Sequence, residues 1–326
     1  MDAAPLVEVT RRDVVTGREV VESVHVGHLV AVDGDGAVAS ALGDPDAVVF
    51  PRSALKPFQA AACLELMSGT AIDPTSEEVA VAWGSHRAEP AHLTAVSALL
   101  ARTGLTGDAA EAALTCPPAR TPDDRAAPSR RLAHNCSGKH ALFRLTAAAL
   151  GLPTDRAALL AHDGPLQSRI LALVTEVTGP PRAIGVDGCG APALALPLVI
   201  VARAFAALAS EARFARVRAA GLAHPGLVGG HEPRSGGTRA PLVDTALLAT
   251  GVVAKRGAEG VLAAGWRTPD GTVGAIAVKA LDGAMRGAAT ALVAHLETAG
   301  VVPVGVWRAP DPTGGGEAAG TVRAAD

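Results

Sequence analysis

Residues 51–60 read PRSALKPFQA and place Lys56 three positions after Ser53. On a helix those two positions share a face, and a serine in the first turn lies beside free N–H groups and the positive end of the dipole. A serine hydroxyl is a poor nucleophile until a neighbour accepts its proton. A lysine can do so only as a neutral amine, which requires burial or nearby positive charge. The chain has four lysines, Lys56, Lys139, Lys255 and Lys279, among 29 lysines and arginines. Arginine stays protonated in proteins whereas a buried lysine need not. A chain that meets its surface needs with arginine therefore keeps lysine either by compositional drift or where a neutral amine matters. Arg52 could supply the nearby charge or clamp a carboxylate through two N–H groups. The spacing alone recurs by chance, and the competing reading is an N-cap serine beside an exposed lysine.

Three further stretches carry reactive residue types. WGSHRAEP (83–90) holds Ser85 and His86 ahead of a helix that Pro90 would open; the plain reading is a capping loop. HNCSGKHA (134–141) gathers His134, Asn135, Cys136, Lys139 and His140 at a helix entrance, and GVDGCGAP (185–192) sets Asp187, Cys189 and Gly190 on a glycine loop after a strand. Two thiols, a carboxylate and an amine could together hold zinc, although a lysine ligand would have to be neutral. The spacing is not that of a zinc finger, and His134 or His140 could instead be a ligand or a donor to substrate. AKRGAEG (254–260) puts Lys255 at a strand end, while Lys279 in GAIAVKALDG reads as a solvated strand-face residue. Cys63 and Cys116 read as packing residues.

The elements that must position these groups fit an α/β chain. Its 326 residues are 49% hydrophobic and 19% charged, enough for one large domain or two interleaved ones. A net charge of −3, 2% aromatic residues and no tyrosine exclude a nucleic-acid surface of the usual basic, stacking kind. The apolar stretch 191–209 contains Pro192, Pro197 and Arg203 and predicts a buried core helix, not a membrane span. The N-terminus shows no basic start with an apolar run, so a cytoplasmic protein is expected. Valine-rich residues 5–50 predict an antiparallel meander of strands over 6–12, 18–26, 28–33 and 37–40, with turns at 16–17 and 33–36, followed by a short strand at 47–50. Helices are expected from Ser53 onward and over roughly 76–84, 90–102, 138–150, 154–162 and 164–178. A glycine-rich loop is expected over 223–241, late strands over 252–283, and a last helix over 284–299. The expected organisation is one catalytic unit over 1–308, with an antiparallel sheet from both ends of the chain and a helical region between, then a disordered tail over 309–326.

Taken together, RSALKPFQA, WGSHRAEPAHL, HNCSGKHA, GVDGCGAP, HPGLVGG and KRGAEGV followed by IAVKALDGAMR resemble the Rhizobium-type, or class 3 inducible, L-asparaginases. The blocks keep that family's order from about residue 51 to 287. The resemblance implies hydrolysis of L-asparagine to L-aspartate and ammonia, a fold similar to serine β-lactamases, penicillin-binding proteins and glutaminases, and a homodimer. It also implies two Ser-Lys pairs, Ser53 with Lys56 and Ser85 with Lys255, and a zinc site on Cys136, Lys139 and Cys189 with Asp187 nearby. Arg52, His86, Asn135 and Gly190 are the candidate substrate contacts, Arg52 for the α-carboxylate, with N–H groups near Ser53 or in the 188–191 loop for the oxyanion. The alternatives are a glutaminase, another Ser-Lys hydrolase of this fold, or a silent amino-acid or zinc-binding protein. The absence of a Ser-Asp-Asn element weighs against a penicillin-recognising enzyme.

Overall fold

The computed structural model describes residues 3–325 except 123, 125 and 234–236. The strands are β1 (Ala4–Arg12), β2 (Glu19–Asp33), β3 (Val38–Leu42), β4 (Val48–Val49), β5 (Ala183–Val186), β6 (Pro192–Pro197), β7 (His231–Pro233), β8 (Arg239–Pro241), β9 (Val253–Arg256), β10 (Val261–Arg267), β11 (Val273–Ala280), β12 (Thr313–Gly314), β13 (Glu317–Ala318) and β14 (Val322–Ala324). The main sheet runs β14-β1-β2-β11-β10-β9, with β3 also on β2, and its pairs are antiparallel. Both ends of the chain thus meet in one sheet, with Val30 opposite Ala277 at the β2–β11 seam.

Alternation along the strands sends side chains to two cores. On β11, Ala275 and Ala277 join a large core containing Phe58, Trp83, Phe143 and Phe205, while Ile276 and Val278 join a smaller one with Ala288, Leu292 and Leu296. The helix Leu198–Ser210 covers the first face and Met285–Thr298 the second. A sheet covered on both faces reads as a continuous apolar run, which is why these strands lack polar alternation. In the large core Phe58 meets Phe205 and Phe214 edge to face, with ring centroids 5.7 and 5.5 Å apart.

The expected α/β class and the sheet built from both termini agree with this architecture. So do the helices Ser76–Trp83, Pro90–Ala101, Ser137–Ala149 and Gln167–Thr178. Four details differ. The two early strands expected across Gly27 are one 15-residue strand, because β11 comes so near there that a Cβ on Gly27 would lie 2.0 Å from the Lys279 carbonyl oxygen. The helix expected at 191–209 begins only at Leu198, since Pro192–Pro197 forms β6 between β4 and β5. Within 223–241 the chain forms a short helix, Pro225–Val228, and the β7–β8 hairpin, while residues 234–236 of that loop lie outside the described residues. The tail is not unstructured: β14 pairs with β1, and Thr10 Oγ1 meets Thr321 Oγ1 at 3.1 Å. The polar, glycine-rich tail composition hides this because a strand on a sheet edge needs little apolar surface of its own. No helix among the described residues is long and apolar enough to cross a membrane.

Candidate active site

Lys56 is delivered by a tight turn. β4 ends at Val49, Arg52 takes a left-handed backbone with φ of 53°, and residues Arg52–Leu55 form a 3-10 turn ahead of the helix Lys56–Leu66. A non-glycine residue there costs about 1–3 kcal/mol and persists only when its surroundings hold it. Arg52 is held through Nε and Nη2 on Asp187 Oδ1, at 2.9 and 2.6 Å. The helix expected to start at Ser53 therefore starts three residues later, and the Ser53 hydroxyl caps nothing: it makes no hydrogen bond among the described residues.

Lys56 is 1% exposed. Its Nζ reaches the Gly84 carbonyl, Ser85 Oγ at 3.1 Å and the Asn135 carbonyl at 3.3 Å. Burial lowers its pKa, with the Lys139 charge adding to the effect against the opposing pull of Cys136. As a neutral amine its two N–H groups suit the two carbonyls, which turns the lone pair toward the Ser85 hydroxyl. The geometry thus joins Lys56 to Ser85, and Ser53 remains in reserve one turn earlier.

Ser85 follows the helix Ser76–Trp83, whose approach to Ser137–Ala149 is set by Gly138. A Cβ on Gly138 would lie 2.2 Å from the Val81 carbonyl oxygen, so the helix carrying Lys139 packs directly on the backbone of the helix leading to Ser85. The Ser85 N–H donates to the Val228 carbonyl at 2.7 Å, and its own carbonyl accepts from Arg256 Nη2 at 2.8 Å. Lys255, fully buried on β9, makes no hydrogen bond to Ser85, its partner in the second pair that the resemblance implies. Its Nζ meets Asp244 Oδ2 at 3.3 Å and the Arg256 carbonyl at 2.9 Å. Burial lowers its pKa to about 7, with Asp244 pulling upward and the charges of Lys56 and Arg256 pushing down.

Cys136, Lys139 and Cys189 do converge. All four cysteines of the chain are free and buried, and Lys139 Nζ lies 3.3 Å from Cys189 Sγ. The Cys136 thiol is held well below its ordinary value by the hydrogen bond with Cys189 and by the charges of Lys56 and Lys139, although burial opposes this. The same hydrogen bond and burial drive Cys189 up. Burial works against the Lys139 ammonium, but Cys189, Cys136 and Asp187 outweigh it and raise its pKa. Among the described residues no three His, Cys, Asp or Glu side chains converge on a metal position. The donor set is two sulfurs and one amine. Two thiolates suit a soft or borderline cation such as zinc, and three donors leave a position open.

Several candidates have other partners. His86 is a neutral strut: Nδ1 accepts from the Ala88 N–H at 3.1 Å, and Nε2 donates to Ser137 Oγ at 2.8 Å, which in turn donates to the Leu132 carbonyl. Burial, then the charges of His92 and Lys56, holds its pKa well below 6.5. Asn135 serves through its backbone carbonyl. The Gly190 N–H donates to the Asp187 carbonyl and the Gly188 N–H to Asp187 Oδ1, so neither is spare for an oxyanion. Asp187 Oδ1 is taken by Arg52 and Gly188. His134 Nδ1 accepts the Cys136 N–H at 3.0 Å. His140 Nδ1 sits 2.6 Å from Thr115 Oγ1, with Nε2 buried and unpartnered.

Sequence reasoning missed Asp244 and Arg256. The visible signal was an acidic residue inside the apolar run LVDTALL, next to one of four lysines in the fold. Asp244 is fully buried.

A search of curated proteins finds no match. Two solved structures of a protein called Mglu, both in its native form and one of them in the presence of 4.3M NaCl, are each 17% identical to this chain with a TM-score of 0.36. They match 85% of this chain, which spans 65% and 61% of theirs. That likeness is too low to carry an argument about fold or activity. The model of the family described as L-asparaginase II matches residues 7–321, a span that includes all of the Ser-Lys and Cys-Lys groups. The chain belongs to the L-asparaginase II family.

Proposed function

We propose that the protein is an L-asparagine amidohydrolase that releases L-aspartate and ammonia through a serine nucleophile activated by lysine. The observation that carries this reading is Lys56, an amine buried against the Ser85 hydroxyl with its N–H groups directed at two carbonyls. Such a group is arranged to accept a proton, and family membership supplies the amide substrate class. Ser53, unengaged at the strained turn, attacks the side-chain amide carbon of asparagine as Lys56 takes its proton. Backbone N–H groups at that turn stabilise the oxyanion. The proton returns to the departing nitrogen through Ser85, with Lys255 as the second proton-transfer amine, ammonia leaves, and water cleaves the acyl-enzyme. Lys255 and Lys56 lie in each other's field, which disfavours both carrying a proton at once. Arg52 keeps one Nη free of Asp187 and is the candidate for the α-carboxylate.

Cys136, Cys189 and Lys139 would hold zinc, as two thiolates and a neutral amine. A bound zinc would fix the helix entrance beside Asn135, its charge balanced by the two thiolates. A homodimer in the cytoplasm completes the proposal.

A second reading has Ser85 itself attack, and the 3.1 Å contact with Lys56 favours it. Ammonia release is measured from L-asparagine and L-glutamine in parallel, for the wild type and for Ser53→Ala and Ser85→Ala, with the acyl-enzyme trapped and located by mass. Loss of a nucleophile lowers kcat by roughly 10³-fold or more. An adduct on Ser53 that survives Ser85→Ala supports the first reading; an adduct on Ser85 replaces it with the second. No ammonia from either substrate overturns both.

A further inference from the structure

A single buried carboxylate stands between two basic groups at the end of β9. Asp244 comes from the helix Val243–Leu248, and Lys255 and Arg256 are consecutive on β9. Asp244 Oδ2 faces Lys255 Nζ at 3.3 Å, and its Oδ1 faces Arg256 Nη1 at 3.5 Å. Asp244 and Lys255 are fully buried and the Arg256 side chain is 15% exposed. The other terminal nitrogen of Arg256 donates to the Ser85 carbonyl at 2.8 Å and to the Gly229 carbonyl at 3.3 Å. A backbone strand, a helix and the Ser85 loop are thus tied through one guanidinium.

Charge counting decides what this arrangement does. A guanidinium is permanently charged, so one carboxylate can neutralise Arg256 but not Arg256 and a protonated Lys255 together. A further uncompensated charge in a buried site is costly. We propose that Asp244 and Arg256 are positioning residues: Arg256 takes up the charge of Asp244, which leaves Lys255 an uncharged amine for proton transfer, and the same guanidinium fixes the Ser85 peptide. This rests on the amide-hydrolysis reading for the use made of Lys255, though not for its charge. Lys255 meets Asp244 from the neighbouring helix, Arg256 from its own strand and Lys56 from the helix Lys56–Leu66, while β10 faces it with Ala263. The lowering of its pKa to about 7 agrees with that balance.

The chain's four lysines make the test direct, because each can be followed separately by its side-chain carbon resonance in lysine-labelled protein and assigned by Lys→Arg replacement. The proposal gives two variants opposite signs. In Asp244→Asn the cation partner of Lys255 stays and the anion goes, so Lys255 titrates lower than in wild type. In Arg256→Gln the carboxylate is left to Lys255 alone, so Lys255 titrates higher, by about one pH unit or more, a tenfold change in its protonation equilibrium. A purely structural role, in which either change merely admits water, raises both. Arg256→Lys, which keeps a cation, leaves the Lys255 titration near its wild-type position and secures the comparison if Asp244→Asn does not fold. Shifts in the same direction for Asp244→Asn and Arg256→Gln, or equal shifts for Arg256→Gln and Arg256→Lys, overturn the proposal. The same proteins are assayed for ammonia release from asparagine across pH, where the limb near neutrality follows the resonance. A silent wild type with the resonance behaviour above sinks the amide-hydrolysis reading and leaves the charge assignment standing.

Discussion

Lys56 and Lys255 are the two residues at which burial becomes chemistry. Replacing Lys56 by arginine keeps the positive charge and most of the length but removes the capacity to become neutral. Steady-state ammonia release should therefore fall by roughly 10²–10⁴-fold, the range for loss of a general base, with no recovery at high pH. Retained turnover in Lys56→Arg would show that the group acts as a fixed cation instead. Burial of these amines also sets a pH dependence of stability. The folded pKa of Lys255 is depressed to about 7, so between that value and the ordinary lysine value of 10.5 the unfolded chain binds more protons. Its penalty is complete below pH 7 and is relieved as pH rises, so it adds stability on the alkaline side. His86 and His140, held well below 6.5, have the same sign at lower pH. Cys63 and Cys116, pushed up to about 12 by burial, oppose it only above the ordinary thiol value of 9.0. Thermal unfolding midpoints should rise from pH 6 to pH 8; a flat or falling profile would mean the lysines are charged in the folded protein.

At the scale of elements, the site is an agreement between helix ends and turns. Thr75 caps the helix that leads to Ser85 in a reciprocal box with Glu78, whose carboxylate also receives the Arg102 Nε at 2.7 Å. That helix can meet the one carrying Cys136 and Lys139 only because position 138 has no side chain. Gly138→Ala forces a Cβ toward the Val81 carbonyl, and overpacking of this kind costs about 1–3 kcal/mol. Denaturant unfolding should show that loss. Activity per folded molecule should fall as well, because Lys56, Ser85 and the thiols are held across the same contact. Full activity with lowered stability would show that the catalytic groups tolerate the shift.

The molecule as a whole closes its sheet with its two ends. β14 covers β1, and Thr10, fully buried, keeps its hydroxyl paired through Thr321. Removing residues 321–326 uncovers a strand edge and leaves that hydroxyl without its partner, a loss of about 1–3 kcal/mol for an unsatisfied buried group. The truncated protein should melt earlier and self-associate at high concentration, as bare edges do; an unchanged melting temperature would make β14 dispensable.

The reactive residue types, their order along the chain and the helix and strand periods were legible in the sequence, because they are local: Ser53 and Lys56 lie three residues apart, and Pro90 opens its own helix. The α/β class and the sheet drawn from both ends followed from the same local patterns. Partnerships were not legible. Lys56 meets Ser85, 29 positions away, and Lys255 meets Asp244, 11 positions back, while Arg52 is occupied by Asp187, 135 positions on. The strand β14 was equally hidden, since an edge strand draws its stability from the strand it covers. Residue type determines which charge a side chain can carry, but only the tertiary structure decides which it does carry. Desolvation and the nearest opposite charge set that balance, and both depend on segments the chain brings together only when it folds.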